Sequence, residues 1–156
     1  MALNAAAAIA VGEALGVNLE SMVESLRSAS ISDRRMQSKT TRNGALLLDD
    51  CYNANPTSMV AAIETLAQIS ANRKVAVLGV MAEIENPEMA YTDIARLARA
   101  NNVEIIAVGT GGYGVGPVSI DEAIQLVLRC DADSVVLVKG SRVAALERVV
   151  DAVIPE

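Results

Sequence analysis

The segment 49–56 carries the densest group of chemically capable side chains in the sequence. It reads Asp-Asp-Cys-Tyr-Asn-Ala-Asn-Pro and directly follows an apolar run at 45–48. Carboxylates at the end of a strand can hold ribose hydroxyls or a metal ion, and carboxamides can contact an adenine edge or orient a substrate. Asp and Asn also favour turns, and Asn55 before Pro56 fits a helix N-cap. The position of the whole group at a predicted strand end favours a binding site over turn chemistry alone.

A second candidate site is the segment 139–142, Lys-Gly-Ser-Arg, which lies between the apolar run 134–138 and a helix predicted over 143–153. The first N–H groups of a helix are free and its N-terminus carries positive potential. Two added cations would make this a site for a carboxylate or a phosphate. The alternative is a strand-to-helix turn with a serine cap and solvated charges.

Three further patterns are weaker. The segment 109–114, Gly-Thr-Gly-Gly-Tyr-Gly, matches the letters of the dinucleotide fingerprint, but residues 115–117 separate it from the next helix, so we expect a flexible loop. Arg34 and Arg35 lie in a polar linker, where an arginine could reach a phosphate or stay solvated. Glu83 is expected to be a solvated surface charge. The sequence contains no G-x-x-x-x-G-K-[ST] motif, so this chain has no Walker-type ATP site of its own.

Apolar periodicity predicts the elements that position these segments. From residue 36 onward, strands alternate with helices of about a dozen residues, which is typical of βαβ units and a mostly parallel sheet. The pair Asn43-Gly44 predicts a hairpin between the first two strands. We therefore predict an α/β, Rossmann-like fold with flanking helices, an N-terminal β-hairpin and two leading helices. The predicted strands are 36–41, 45–48, 74–79, 103–108 and 134–138. The predicted helices are 5–15, 18–26, 56–70, 87–100, 120–128 and 143–153.

Composition excludes several classes of protein. The net charge is −6 and the only aromatic residues are three tyrosines, so the chain lacks the basic stripe and stacking platform of a nucleic-acid binder. The absence of histidine excludes Ser-His-Asp triads and His-containing zinc sites. Cys51 and Cys130 fit no CxxC pattern and are expected to be free core thiols. No apolar run reaches the roughly 18 residues of a membrane span and no signal-peptide pattern occurs, so we expect a cytoplasmic protein without membrane insertion.

Four segments together resemble the Mur ligase family. Asp49–Met59 is similar to its signature D-D-x-Y-N-A-N-P-x-S-M. Val136–Arg142, together with Glu147 and Arg148, is similar to its ending V-L-V-K-G-S-R…E-R. Asn4–Ala8 resembles the N-A-L-A-A helix of the family and Arg35–Gln37 resembles its G-R-L-E/Q linker. All four segments lie in the family's order. The segment 80–85 departs from the family's pattern, which leaves its role open.

The signature is that of the ligases that add D-alanyl-D-alanine to UDP-N-acetylmuramoyl-tripeptide in peptidoglycan precursor synthesis. The resemblance implies that ATP with Mg²⁺ converts the terminal carboxylate of the tripeptide to an acyl phosphate, which the dipeptide amine then attacks. It also implies three domains. An N-terminal domain would bind the sugar peptide, a central P-loop domain would make most of the contacts to ATP and Mg²⁺, and the third would be a C-terminal Rossmann-like domain. Residues 1–32 would be the last helices of the central domain with the linker, and residues 33–156 the C-terminal domain.

The resemblance implies two sets of binding residues and no catalytic residue in this chain, so the chain alone is expected to be inactive. The nucleotide-binding set is Asn4, Arg35, Asp50, Tyr52, Asn53 and Asn55. The set that would seat D-alanyl-D-alanine is Lys139, Ser141 and Arg142. Within the first set, Asn4 would face the adenine, Arg35 the phosphates and Asp50 the ribose hydroxyls. No metal ligand is expected among these residues.

Two other functions are open on the residues alone. A phosphoacceptor receiver domain also has an acidic pair after an early strand, a Thr after a late strand and a Lys after the last, as Asp49-Asp50, Thr110 and Lys139 do here. The segment 75–81, however, offers no aspartate to phosphorylate. The other alternative is a stand-alone Rossmann-like module that binds a nucleotide or small molecule without catalysis, because a fold does not fix a function.

Overall fold

The computed structural model describes residues 2–28, 33–82 and 84–155. The chain divides into two compact units, Met1–Ser32 and Asp33–Glu156. None of the helices in the described ranges is long and apolar enough to cross a membrane.

The first unit is a pair of helices, α1 (Ala2–Ala14) and α2 (Leu19–Ser28). Gly16 separates them with a φ of +73°, in the left-handed region that glycine adopts without a steric penalty. The Asn18 side-chain oxygen accepts a hydrogen bond of 2.8 Å from the Glu20 N–H, so the predicted N-cap is confirmed. Several apolar side chains on this unit are exposed, among them Val11 and Leu15.

The second unit is built on a five-stranded sheet, which confirms the predicted α/β fold with a mostly parallel sheet. Its strands are β1 (Gln37–Thr40), β2 (Leu46–Asp49), β3 (Arg73–Leu78), β4 (Val103–Ala107) and β5 (Ser134–Lys139). Their order in the sheet is β1-β2-β5-β3-β4. Only β1 runs antiparallel, as the partner of β2 in the predicted hairpin. The last strand in the chain therefore lies at the centre of the sheet, between β2 and β3.

Helices cover both faces of the sheet. They are α3 (Pro56–Gln68), α4 (Pro87–Ala100), α5 (Ile120–Val127) and α6 (Glu147–Val153). One apolar core packs α3 and α4 against one face, through residues such as Ile63 and Ile94. The other packs α5 and α6 against the opposite face, through residues such as Val127 and Val150. Because side chains alternate along a strand, Val75 faces one core while Ala76 faces the other. Because helices cover both faces of the sheet, the loops at the ends of the strands are the parts of this unit that a ligand can reach.

Local sequence signals account for several element boundaries. The Asn55 side chain accepts a hydrogen bond from the Ser58 N–H at 2.8 Å, and Pro56 begins α3, as predicted. The predicted capping box of Ser119 and Glu122 begins α5. In the hairpin, Gly44 has a φ of +87°, in the left-handed region that glycine adopts without a steric penalty.

The predicted last helix over 143–153 is wrong at its beginning. A single 3₁₀ turn spans Arg142–Ala144, Ala145 is left-handed with a φ of +50°, and α6 begins only at Glu147. After the left-handed Ala145, the buried Leu146 packs beside Gly140. A Cβ added to Gly140 would lie 3.0 Å from the Leu146 Cδ1 atom. Tertiary packing thus overrides local helix propensity at this point. The segment 139–142 consequently does not lie at the N-terminus of a long helix.

Candidate functional site

A buried ion pair lies at the centre of the candidate site. The Lys139 ammonium donates to the Asp50 Oδ2 atom at 2.6 Å and to the Asn53 carbonyl at 2.9 Å. The side chain of Lys139 is 2% exposed and that of Asp50 is 16% exposed. The pair forms because β2 and β5 are parallel neighbours whose register sets Asp49 against Val138, so the next residues of both strands meet. The charge of Lys139 is therefore balanced within the protein.

The same carboxylate also holds the linker that precedes β1. The Asp50 Oδ1 atom accepts a hydrogen bond of 3.0 Å from the Met36 N–H. The Tyr52 N–H donates to the Arg34 carbonyl at 3.1 Å. Arg34 and Met36 have φ values of +60° and +54°, a conformation that non-glycine residues adopt only when their surroundings stabilise it. These bonds fix the backbone on both sides of Arg35.

Asp49 is fully buried and is neutralised separately. Its Oδ2 atom lies 2.6 Å from the Lys39 ammonium and 3.7 Å from the Arg34 guanidinium. Arg34 itself makes a two-pronged contact with Asp151 on α6, at 3.0 Å to each oxygen. The Cys51 thiol donates to the Asp49 Oδ1 atom at 3.0 Å. Asp49 and its partners thus link the hairpin, the linker and α6 beneath the site.

The surroundings of Cys51 disfavour the reactive thiolate form of its side chain. Burial raises the pKa of the Cys51 thiol to about 12, and the negative charge of Asp49 adds to the effect. Burial also raises the pKa of the Cys130 thiol. Both thiols are free, as predicted from their spacing.

The outer face of the site is formed by one ring and two cations. The Tyr52 ring is 38% exposed. The Cζ atom of Arg35 lies 4.2 Å from the centroid of this ring, and that of Arg142 lies 5.5 Å from it. Both distances are within the range of cation–π attraction. Arg35 from the linker and Arg142 from the loop after β5 therefore meet on a side chain of the loop after β2.

The side chains of the other predicted site residues form hydrogen bonds only with neighbours in sequence, or form none within the described ranges. Asn55 is occupied as the cap of α3, and the Asn53 side-chain oxygen accepts from the Ala54 N–H at 2.8 Å. Ser141 is buried, and its hydroxyl has no hydrogen-bond partner within the described ranges. Asn4 is an exposed residue of the first unit. The structure thus brings eight of the nine predicted residues into the second unit: Arg35, Asp50, Tyr52, Asn53, Asn55, Lys139, Ser141 and Arg142.

The glycine-rich segment after β4 forms the predicted loop, but this loop is anchored rather than loose. Tyr113 is 1% exposed, and its hydroxyl donates to the Gly79 carbonyl at 2.8 Å. Its ring meets that of Tyr91 edge to face at 4.8 Å, and the Tyr91 hydroxyl accepts from the Met81 N–H at 2.8 Å. The two tyrosines thus fix the beginning of the loop after β3. The rarity of aromatic residues in this sequence was the available signal for their role.

We expect Gly112→Ala to lower the free energy of unfolding by about 1–3 kcal/mol, because overpacking a filled site forces its neighbours to move. A Cβ at Gly112 would lie 2.7 Å from the Tyr91 Cγ atom. Gly111→Ala is the matched control, since the nearest atom to its added Cβ would be the Pro117 Cδ at 3.9 Å. Urea unfolding followed by tyrosine fluorescence measures both variants. Equal stability of the two would contradict the packing that we describe.

The site offers no cage for a metal ion. Within the described ranges, no group of three or more Cys, Asp or Glu side chains is arranged to hold one. Asp49 and Asp50 are close to each other in sequence, but each is already neutralised by its own lysine. Glu83, predicted to be a solvated charge, lies outside the described residues.

Comparison with known proteins identifies the family. The family model "Mur ligase, glutamate ligase domain" matches residues 34–142, which include all eight site residues of the second unit. The chain belongs to the Mur ligase family. This membership confirms the resemblance that the four sequence segments indicate.

Individual Mur ligases match most of this chain. The UDP-N-acetylmuramoyl-tripeptide–D-alanyl-D-alanine ligase of Mycobacterium tuberculosis H37Rv is 34% identical over 98% of the chain. Crystal structure II of MurF from Acinetobacter baumannii has a TM-score of 0.80 and 32% identity, and covers 95% of the chain. MurF from Thermotoga maritima, solved in complex with ADP, has a TM-score of 0.77 and 25% identity over 96% of the chain.

The chain spans only part of these relatives. It covers 37% of the M. tuberculosis ligase and 36% of each of the two MurF structures. The described geometry is therefore that of one portion of a Mur ligase.

Proposed function

We propose that this chain is the C-terminal part of a ligase that joins D-alanyl-D-alanine to UDP-N-acetylmuramoyl-tripeptide at the expense of ATP. The observation that carries the proposal is that the linker before β1, the loop after β2 and the loop after β5 meet at one place. Relatives of this chain bear the name of this ligase. Residues 1–32 would belong to the preceding, central domain and residues 33–156 would form the C-terminal domain. A stand-alone binding module is not favoured by any observation in the described ranges.

The reaction requires two successive transfers. A carboxylate oxygen of the tripeptide attacks the γ-phosphorus of ATP, the bond to the β-phosphate oxygen breaks, and ADP leaves. The amine of D-alanyl-D-alanine then attacks the carbonyl carbon, phosphate leaves, and the nitrogen loses a proton as the amide forms. This chain would supply positioning and positive charge to these steps, which are the main contributions in phosphoryl chemistry.

On the nucleotide side, Arg35 would contact the phosphates and Asp50 the ribose. Asp50 keeps acceptor capacity for a ribose hydroxyl, because a carboxylate offers about four lone-pair sites and the Met36 N–H and Lys139 use two of them. Tyr52, with its exposed ring, would line the nucleotide. Asn53 would contribute to nucleotide binding by stabilising the loop after β2, and Asn55 would contribute by capping α3.

On the acceptor side, the geometry separates the three predicted residues. Arg142 is exposed and its cation is available to an anionic substrate. Ser141 has a buried hydroxyl with no partner within the described ranges, so it can still donate or accept. Lys139 would act by holding Asp50 and the Asn53 carbonyl, since its ammonium is buried with both. A direct contact of Lys139 with the dipeptide stays a prediction.

The remaining requirements of the reaction would be met outside this chain. Mg²⁺ accompanies ATP in the proposed reaction, and the described residues do not form a site for it. We therefore assign the metal and most ATP contacts to the central domain, and the sugar peptide to the N-terminal domain. The proposed location is the cytoplasm, as we expect from the sequence.

A chimeric enzyme tests the proposal. In the M. tuberculosis ligase, this chain replaces the segment with which it aligns, and phosphate release is measured with ATP, UDP-N-acetylmuramoyl-tripeptide and D-alanyl-D-alanine. We expect release that depends on all three substrates, and no release by this chain alone. Arg99→Gln is the control, because Arg99 is an exposed arginine in the last turn of α4, outside the site. A folded chimera that binds ATP but releases no phosphate with the dipeptide would contradict the proposed function.

A further inference from the structure

The contacts of the Tyr52 ring join two residues that the family resemblance implies for different substrates. Arg35 is expected at the ATP phosphates and Arg142 at the dipeptide. In the structure their guanidinium carbons lie 4.2 Å and 5.5 Å from the centroid of the same ring. Both cations therefore lie within contact distance of a single aromatic side chain.

Neither cation is neutralised by a carboxylate of the described residues. Across residues 2–28, 33–82 and 84–155, no carboxylate forms an ion pair with Arg35 or Arg142. The carboxylates nearest in sequence to the ring, Asp49 and Asp50, are paired with Lys39 and Lys139. Two like charges near one ring repel each other, so their arrangement is stabilised when an anion binds to both.

The chemistry of the two side chains favours a phosphate group as this anion. A guanidinium presents several N–H donors in a planar fork that matches phosphate oxygens, and each such bond is charge-assisted. A phosphate group offers more charge and more acceptor oxygens than the single carboxylate of a dipeptide, so it can satisfy two arginines at once. The backbone around Arg35 is held by the Asp50 carboxylate and the Tyr52 N–H, which fixes one side of the site before the anion arrives.

We infer that Arg35 and Arg142 form one phosphate-binding site and that Tyr52 is the residue that positions both. Tyr52 acts through its ring, since its hydroxyl forms no hydrogen bond within the described part of the chain. The identity of the phosphate as that of ATP rests on the proposed function. The site itself does not, because it is defined by the two cations and the ring.

Titration of this chain with inorganic tripolyphosphate tests the site separately from ligase activity. We expect Arg35→Gln and Arg142→Gln each to raise the Kd about tenfold, the size of effect that loss of a charge-assisted hydrogen bond produces. Their combined effect should differ from the product of the single effects, because the two residues would contact one ligand. Arg99→Gln, at an exposed arginine of α4, should stay within about twofold of the unchanged chain. If Arg142→Gln weakens D-alanyl-D-alanine binding and leaves the Kd of tripolyphosphate unchanged, the shared site is refuted.

Substitutions of Tyr52 test the positioning role. Tyr52→Phe keeps the ring and should bind tripolyphosphate as the unchanged chain does, whereas Tyr52→Leu should raise the Kd severalfold, since a cation–π contact contributes about one charge-assisted hydrogen bond or less. Thermal unfolding of both variants is measured in parallel, and because the side chain is 38% exposed we expect little change. An equal loss in both variants would transfer the role to the hydroxyl, and no loss in Tyr52→Leu would leave the ring without a role. Either result overturns the inference for Tyr52. A chimera without ligase activity would leave the tripolyphosphate results intact.

Discussion

Replacing Asp50 by alanine is expected to lower the free energy of unfolding by about 3–5 kcal/mol, the cost of leaving one partner of a buried ion pair alone. The Lys139 side chain is 2% exposed, and its ammonium would keep only the Asn53 carbonyl as a partner. The Met36 N–H would lose its acceptor as well. Urea unfolding followed by tyrosine fluorescence measures the effect in the right unit, because all three tyrosines lie in residues 33–156.

Two further variants separate the ion pair from general damage at this position. The double variant Asp50→Ala/Lys139→Met removes both charges and should recover about half of the lost stability or more, because no buried charge is left unpaired. Asp93→Ala breaks the exposed pair with Arg96, whose side chains are 54% and 72% exposed, and should cost no more than about 1 kcal/mol. If the double variant is less stable than Asp50→Ala, the contribution of the pair is not electrostatic.

Cys51 is expected to react with iodoacetamide at pH 8 about a thousand times more slowly in the folded chain than in the urea-unfolded chain. The thiolate is the reactive form, and burial together with Asp49 raises the pKa of this thiol from 9.0 to about 12. At pH 8 that shift lowers the thiolate fraction by a factor of about 10³. Mass spectrometry of the Cys130→Ser variant follows Cys51 alone.

The pH profile provides the stricter check of the Cys51 environment. The unfolded chain should reach half of its maximal rate near pH 9 and level off by about pH 11, whereas the rate of the folded chain should still rise about tenfold per pH unit between pH 9 and 11. The same shift makes the folded state less stable as the pH rises from 9 towards 12, since only the unfolded chain gains a thiolate there. A folded chain whose rate follows the same pH profile as the unfolded chain would show that burial and Asp49 do not raise the pKa of Cys51.

Much of the fold could be predicted from residues close together in the sequence. Asn55 caps α3 through Ser58, three residues away, and the same spacing joins Ser119 to Glu122 at α5. The Asn-Gly turn forms the hairpin, and the alternation of apolar runs gives the order of strands and helices. These features depend on hydrogen bonds and side-chain faces within one or two turns of chain, so local residue types are sufficient to predict them.

The sequence also located the candidate site, through the polar segments that end β2 and β5. It could not predict which of their charges would remain available to a ligand. Lys139 and Asp50 are 89 residues apart, and they pair because β5 lies beside β2 in a particular register. Tyr113 was assigned to a loose loop because its contact with the Gly79 carbonyl depends on the adjacent positions of β3 and β4.

The amino-acid sequence was sufficient to predict most of the elements, the helix caps, the polar segments at the strand ends and the resemblance to Mur ligases. The tertiary structure alone decided that Lys139 is buried in an ion pair, that the last helix begins after Leu146, and that Arg35 and Arg142 share the Tyr52 ring. The physical reason is that pairing of charges and packing of rings are set by distances in space. Those distances follow from the order β2-β5-β3 in the sheet, which brings together residues that are far apart in the chain.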